Sequence, residues 1–125
     1  MARYTDEMGY TTGVATTYTA MTGSPYSPLK GGRLKQIRLY LAGDAASSLI
    51  EKVTVKLTCP DWGLPVIVSA VGGGLRTATC PPIPVEIMDC DLPVTQSSKI
   101  TIEYKHDTGA TPVTPRINVI GCFDA

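Results

Sequence analysis

The segment from residue 50 to residue 71 constrains the fold most strongly, because it combines two strand patterns with a turn between them. From Ile50 to Cys59 apolar and polar side chains alternate, which is the period of a β-strand with one buried face. Pro60 to Gly63 has the residue types of a tight turn. Leu64 to Val71 is rich in β-branched residues and is typical of a strand that is buried more completely. The segment therefore predicts two paired strands with Trp62 at their corner.

A second alternating segment runs from Lys99 to Lys105 and predicts a strand whose apolar side chains face inward. Together the two segments identify the side chains that we expect to form the core, which are Val55, Leu57, Val66, Val68, Ile100 and Ile102. Replacing Leu57 by Ala should then cost about 2–5 kcal/mol of stability, the range for a large buried side chain that is cut to a small one.

Further short strands are predicted along the chain at intervals of roughly ten residues. They are Gln36–Leu41, Leu75–Thr79, Val85–Met88 and Val113–Phe123. Residues 89–93 are predicted to turn the chain, and the proline-rich residues 80–84 to form a loop that crosses between sheets. No window has a sustained helical period, so helix is expected only in short turns. The pattern predicts an all-β fold, an antiparallel β-sandwich or barrel of about seven or eight strands.

The N-terminal part of the chain has a different composition. Residues 8–29 carry no charged side chain but contain many Thr and Tyr, which favour strands. Few of these side chains are large and apolar enough to anchor a core, and Gly31-Gly32 after them is interpreted as a hinge. We therefore predict an extended N-terminal arm at residues 1–30 and a single β-sandwich domain at residues 31–125. The arm is expected to lie on its own domain or on a neighbour.

Of these two places, the neighbour is favoured, because natural proteins use charges to keep sheet edges from pairing and this segment has none. The arm is predicted either to cross to another subunit or to pack in a seam between subunits. Deleting residues 1–29 should then leave a folded sandwich that no longer assembles. The residues predicted to form the intersubunit contact are Tyr10, Thr11, Thr12, Val14, Thr16, Thr17, Tyr18 and Met21.

Composition and charge exclude some classes of protein. The chain has 125 residues, enough for one domain, and 18% of them are charged, against about 25% in an average soluble domain. The formal net charge is zero, which argues against a nucleic-acid-binding protein, since such a protein needs a basic surface. No run approaches the roughly 18 apolar residues of a membrane helix, and the N-terminus has no apolar signal segment. We expect a chain made in soluble form in the cytoplasm, with a surface partly covered by partners.

The candidates for catalysis are weak. The single histidine, His106, is followed by Asp107, but no nucleophile motif such as G-x-S-x-G accompanies the pair. We interpret His106 as an exposed residue beside a turn. Gly72-Gly73-Gly74 lacks the Lys and Ser/Thr of a P-loop and is interpreted as a hairpin loop. We therefore expect no enzymatic activity and no cofactor.

The candidates for metal binding are also weak. Glu86, Asp89 and Asp91 carry carboxylates, but they alternate along a strand end and lack the spacing of a calcium-binding loop. The four cysteines have no C-x-x-C spacing, and with a single histidine they do not form a zinc motif. They are interpreted either as buried thiols or as disulfide partners, and they are Cys59, Cys80, Cys90 and Cys122. No metal site is predicted.

The layout of the whole chain is distinctive. It consists of the uncharged residues 8–29, the Gly-Gly pair and the strands Gln36–Leu41, Ile50–Cys59, Leu64–Val71, Lys99–Lys105 and Ile117–Cys122. This layout resembles that of single jelly-roll virion proteins, which include the small capsid proteins of tailless icosahedral viruses of archaea and thermophilic bacteria. The resemblance implies a jelly-roll-like β-sandwich that serves as a capsid or decoration subunit, without catalytic residues. It also implies a location in the virion and partners that are copies of the chain or other virion proteins.

Two other functional interpretations stay open. A filament subunit would use the arm to complete a neighbour's sheet by strand addition, and an open filament needs a different interface symmetry from a closed shell. A carbohydrate-binding module would use Asp61 and Trp62 at the predicted turn as a platform for a sugar ring. The single tryptophan of a β-sandwich more often fills the core. An enzyme is the least favoured class, and a small-molecule ligand is not expected.

Overall fold

The computed structural model describes residues 3–12, 15–42, 50–73, 85–106 and 116–125. These residues form eight β-strands, and no helix occurs among them. The strands are β1 (Arg3–Thr11), β2 (Thr19–Ala20), β3 (Gly32–Ala42), β4 (Ile50–Thr58), β5 (Val66–Gly73), β6 (Val85–Val94), β7 (Thr101–His106) and β8 (Arg116–Asp124).

The strands form two four-stranded antiparallel sheets, with the orders β1-β8-β3-β6 and β2-β7-β4-β5. The first strand pairs with the last, the second with the seventh, the third with the sixth and the fourth with the fifth. The chain is therefore a long hairpin that is rolled up, and the pairing of β8 with β3 and of β7 with β4 completes the sheets. This strand order is that of a jelly roll. The predicted antiparallel, jelly-roll-like β-sandwich is confirmed.

The core lies between the two sheets, where the inward side chains of each strand meet. In β4 the inward Val53 and the outward Lys52 are neighbours in sequence, and only Val53 is buried. The predicted core residues Val55, Leu57, Val68, Ile100 and Ile102 are buried, and Val66 is partly buried and packs against the same core. A fully buried side chain of this size stabilises the fold by roughly 1.5–3 kcal/mol.

Strand β5 is buried on one face only, so the prediction that it is buried more completely than β4 is wrong. Val68 and Ala70 face the core, whereas Ile67 is 54% exposed and Ser69 is exposed. The physical reason is the two-layer architecture, in which each sheet has only one face against the other sheet. The β-branched run correctly indicated a strand, but it did not distinguish a strand buried on both faces from a strand buried on one face.

Strand β6 is longer than predicted, because it continues through the expected turn at residues 89–93 to Val94. It pairs with β3 along its length, with a register shift between Leu34 and Gln36. Pro93 is tolerated in this strand because β6 lies at the edge of its sheet, where a missing N–H donor leaves no gap in the ladder. The predicted strand at residues 75–79 and the crossing loop at residues 80–84 lie outside the described residues, as do residues 113–115.

The predicted hinge at Gly31-Gly32 is the beginning of β3. Gly32 has a φ of +148°, and a Cβ there would collide with the backbone carbonyl oxygen of Asp124 at the end of β8. Glycine is needed at this position because the two backbones approach too closely for a side chain.

The N-terminal residues belong to the same sandwich. Strand β1 pairs with β8 from Arg3 opposite Asp124 to Thr11 opposite Ile117. Of the two places proposed for the N-terminal segment, the described residues therefore occupy the first, since they lie on their own domain. A division of the chain at residue 30 does not separate two packing units, because residues from both parts share one core.

Candidate functional site

The predicted contact residues of the N-terminal segment differ in their exposure. Met21 and Thr11 are buried, Tyr18 is half-buried and Tyr10 is 41% exposed. Thr12, Thr16 and Thr17 are exposed, whereas Val14 lies outside the described residues. The segment therefore has an inward set that anchors it and an outward set that is accessible. Contact of the outward set with a second subunit stays a prediction.

The segment joins the edges of the two sheets. Tyr10 at the end of β1 and Thr22 beyond β2 exchange two backbone hydrogen bonds, with N–O distances of 3.1 and 3.0 Å. The backbone N–H of Met21 donates to the carbonyl oxygen of Ile102 at 3.0 Å. We call this side of the molecule, where β1 and β2 meet, the closed side. Its edge strands are joined to each other by the chain itself.

Aromatic packing anchors the segment to the last strand. The rings of Tyr4 and Tyr26 both stack on Phe123, with centroid distances of 4.8 and 6.0 Å. The hydroxyl of Tyr26 donates to Oδ2 of Asp6 at 2.7 Å. Burial, together with this carboxylate, raises the pKa of Tyr26 well above its ordinary value. The expectation that the segment has too little to bury is wrong, because Tyr26 and Met8 are both core residues.

Two further contacts hold the loop between β1 and β2. The ring of Tyr18 lies against the ammonium groups of Lys56 and Lys105, at 4.3 and 5.0 Å from its centroid. The backbone N–H of His106 donates to the carbonyl oxygen of Ala15 at 2.7 Å, and the N–H of Ala15 donates to Nδ1 of His106 at 3.3 Å. These contacts bind the loop to the outer face and the end of the second sheet.

His106 is thus a buried residue, 4% exposed at the end of β7, and the prediction of an exposed turn residue is wrong. The reason is that His106 continues the inward face of β7 after Ile102 and Tyr104, and Ala15 forms hydrogen bonds with it. Asp107 lies outside the described residues.

The opposite side, where β5 and β6 are the edge strands, we call the open side. Among the described residues β5 pairs only with β4 and β6 only with β3. Three of the five large exposed apolar side chains among the described residues lie there: Leu64 is 80% exposed in the corner before β5, Ile67 is 54% exposed on β5 and Ile87 is 53% exposed on β6, the other two being Tyr10 and Leu29. An exposed edge with apolar side chains is a surface that other chains can pair with or pack on.

The β1-β8-β3-β6 sheet carries a shallow groove of about 590 Å³, lined by both polar and apolar side chains. Within and beside the groove, Gln36 donates to Asp89 at 2.9 Å and accepts from Nε of Arg38 at 2.8 Å. Asp91 accepts from Arg33 and, at 3.1 Å, from Lys35. These hydrogen bonds hold the pKa of Asp91 below its ordinary value.

The three carboxylates considered for calcium are not arranged as a metal site. Asp89 and Asp91 are occupied by side chains of β3, and Glu86 is exposed farther along β6. Over the part of the chain that the structure describes, no group of three or more His, Cys, Asp or Glu side chains could hold a metal ion.

Trp62 fills the core, as the favoured interpretation predicted. It is 9% exposed, and its Nε1 donates to the carbonyl oxygen of Pro93 at 2.9 Å. The neighbouring Asp61 accepts from the hydroxyl of Ser98 at 2.6 Å. The alternative of a sugar platform at Asp61 and Trp62 is wrong, because the indole ring is covered by its own domain.

The described cysteines are thiols. Cys59 is buried and Cys90 and Cys122 are half-buried, and none of them is in a disulfide, whereas Cys80 lies outside the described residues. Burial, with a contribution from Asp89 and Asp91, raises the pKa of Cys90 to about 11. Cys90 is therefore protonated near neutral pH and is a weak nucleophile. Of the glycine run, Gly72 and Gly73 are the last residues of β5, and residue 74 is not among those described.

No family model matches the chain, and none of the curated proteins does. A search of the described residues for a helix that is long and apolar enough to cross a membrane found none.

Proposed function

We propose that this chain is a structural protein that assembles with copies of itself, as a capsid or decoration subunit of a virion. The observation that carries the proposal is the open side, where an uncharged edge strand and exposed apolar side chains occur together. Such a surface is one that soluble monomers normally protect with charges, prolines or a covering element.

The strand order adds a second argument. Jelly rolls form viral capsid domains, but also lectin domains and cupins, so the fold alone does not select a function. The layout of the sequence is what favours the virion among these classes. A coat subunit needs self-complementary surfaces, and the open side has the apolar side chains for one.

The N-terminal segment has a changed role in this proposal. Its strand β1 is part of its own sheet, so it is not free to complete the sheet of a neighbour. The exposed residues Tyr10, Thr12, Thr16 and Thr17 are the part of the segment that would touch another subunit. The segment would then contribute a side-chain surface to a seam between subunits.

A filament subunit is the second candidate. The observation that favours it is β5, because an uncharged edge strand can accept a strand from another chain. Its donor would have to be a segment other than β1. A carbohydrate-binding module is not proposed, because Trp62, on which that interpretation depended, is buried.

Native mass spectrometry and negative-stain electron microscopy of the purified protein over a range of concentrations test the proposal. The expected result is a closed particle or an oligomer of defined stoichiometry. Filaments would favour the second candidate. A monomer at all concentrations, alone and with intact virus particles, would overturn both.

A further inference from the structure

We propose that β5 pairs in antiparallel fashion with β5 of a second copy of this chain, about a two-fold axis. Two four-stranded sheets would thereby join into one continuous sheet across the subunit interface. The inference deepens the proposed function, since it rests on self-assembly and names the surface by which two copies meet.

The four edge strands of the sandwich differ in their suitability for self-pairing. Strand β1 carries Arg3, Asp6 and Glu7, and its end is joined to Thr22 on the closed side. Strand β2 has only two residues. Neither offers a long backbone edge without charge, and both belong to the side that the chain closes by itself.

The two edges of the open side differ from each other in charge. Strand β6 carries Glu86, Asp89 and Asp91, and also Pro93. Charged residues and a proline are what natural proteins place in an edge strand to keep it from pairing with another chain. Strand β5, with the sequence VIVSAVGG, contains no charged residue and no proline. It is therefore the described edge best able to pair with itself.

The neighbouring strand β4 has a lysine beside Ile67, but its charge does not face the edge of β5. Ile67 lies opposite Lys56 of β4. The ammonium group of Lys56 lies 3.7 Å from Oε1 of Glu103 and 4.3 Å from the ring centroid of Tyr18. Both partners lie on the β7 side of β4, so this charge is directed away from β5. The apolar side chain of Ile67 therefore lies at the free edge of the sheet, and the lysine charge faces away from it.

Antiparallel geometry defines what meets at the axis. Residues directly opposite each other point to the same face of a sheet, so a two-fold axis through the pair brings one residue opposite its own copy. The described outward residues of β5 are Ile67 and Ser69. Ser69 is nearer the middle of the strand and is small, so we infer that the axis passes there. Each Ile67 then lies opposite position 71 of the partner strand and gains a cross-strand neighbour on the outer face of the joined sheet.

A charge at Ile67 tests the interface in the full chain. Ile67→Lys should leave the fold intact, because the side chain points to solvent, and should weaken self-association at least tenfold in sedimentation velocity. The matched control is Ile87→Lys, which places the same charge on the other open edge at an equal exposure of 53% against 54%. The control should associate as the wild type does. Circular dichroism and thermal unfolding of both variants verify the fold.

A cysteine at Ser69 tests the axis. Opposite residues of an antiparallel pair have Cα atoms about 4.5–5.5 Å apart, within the range that a disulfide spans. Ser69→Cys should therefore give a disulfide-linked dimer under mild oxidation, beyond the background of the native cysteines measured in the wild type. Ile87→Cys should not. Absence of the Ser69→Cys dimer overturns an axis at this residue.

The outcomes separate this inference from the proposed function. If the wild type assembles and Ile67→Lys assembles equally well, the β5 interface is wrong and self-assembly by another surface stands. If the wild type is a monomer at every concentration, both proposals fail. If Ile67→Lys and Ile87→Lys weaken association equally, the choice of β5 over β6 is wrong.

Discussion

The closed and open sides of the sandwich differ in how the edge strands of the two sheets are covered. On the closed side, β1 and β2 are joined through Tyr10 and Thr22, and Met21 is buried beneath them. On the open side, β5 and β6 have no further strand partner among the described residues, and Ile67 and Ile87 are exposed.

This difference is informative because both sides are built from the same kind of strand. A backbone edge presents N–H and C=O groups that must find partners or be protected. The chain uses its N-terminal segment as internal cover on one side, and that segment has no charge where it crosses from β1 to β2. Absence of charge thus accompanies pairing within the chain at one edge. We infer that at β5 it accompanies pairing between chains.

The largest expected effect is loss of the fold on deletion of residues 1–29. The deletion removes Met8, Met21 and Tyr26 from the core and uncovers Phe123. We therefore expect the truncated chain to lack a cooperative thermal transition, the reverse of the folded sandwich expected from the sequence alone. A truncated chain with native-like circular dichroism and sharp unfolding would show that the closed side is dispensable. The full-length Ile67→Lys variant is the folded control.

The next effect compares one large apolar side chain on each side. Met8→Ala should lower the free energy of unfolding by about 2–5 kcal/mol, because Met8 is fully buried and the change leaves a cavity. Ile87→Ala on the open side should stay within about 0.5 kcal/mol, as for a surface substitution. Urea unfolding of dilute protein measures both. Equal losses would mean that β6 is covered in the monomer.

The sequence predicts a structural feature well when neighbouring residues determine it, and poorly when residues far apart in the chain do. The alternation in β4 and β7 identified Leu57 and Ile102 correctly, because period and burial are properties of neighbouring residues. The place of β1 was missed, although Tyr4, Asp6 and Met8 alternate, because its partner β8 is at the other end of the chain.

The misinterpretation of His106 has a different origin. His106 continues the inward face of β7 after Ile102 and Tyr104, so extending the alternation by one residue would have predicted its burial. The exposure of Ile67 was missed because β-branched runs occur in edge strands and in central strands alike. Trp62 was interpreted correctly because a large ring in a small domain is usually worth burying.

A tighter test of packing on the closed side uses glycine. A Cβ at Gly121 would lie 2.5 Å from Sδ of Met8 and 2.7 Å from Cε2 of Phe123, so Gly121→Ala should cost about 1–3 kcal/mol by overpacking. The control is Gly63→Ala in the corner before β5, where a Cβ would meet nothing within 4 Å. Chemical denaturation compares the two variants. A neutral Gly121→Ala would show that the side chains of Met8 and Phe123 move aside easily.

A smaller effect is expected for the hydroxyl of Tyr26. Tyr26→Phe removes its hydrogen bond to Asp6 and should cost about 1 kcal/mol, whereas Tyr10→Phe at an exposed position should be neutral. Because the pKa of Tyr26 is raised in the folded state, the stability that the neutral hydroxyl contributes is fully present below the ordinary value of 10.0. That stability is lost as the pH rises through the raised pKa. The difference between wild type and Tyr26→Phe should therefore shrink in alkaline solution, as thermal melts above pH 10 would measure. A constant difference would contradict the assignment.

The smallest effect is expected at Asp91, on the open-side strand β6. Its carboxylate accepts hydrogen bonds from Arg33 and Lys35, which lower its pKa, but the side chains are about half exposed and such ion pairs contribute little. A lowered pKa means that the stabilisation is present above the ordinary value of 3.8 and is lost as the pH falls through the lower, folded value. Asp91→Asn should therefore lower the melting temperature slightly at neutral pH. The difference should vanish in strong acid, and added salt should reduce it at neutral pH. A loss of stability as large as that of Met8→Ala would mean that β6 depends on this ion pair for its place in the fold. The open side would then be held by its own side-chain contacts more strongly than its difference from the closed side implies.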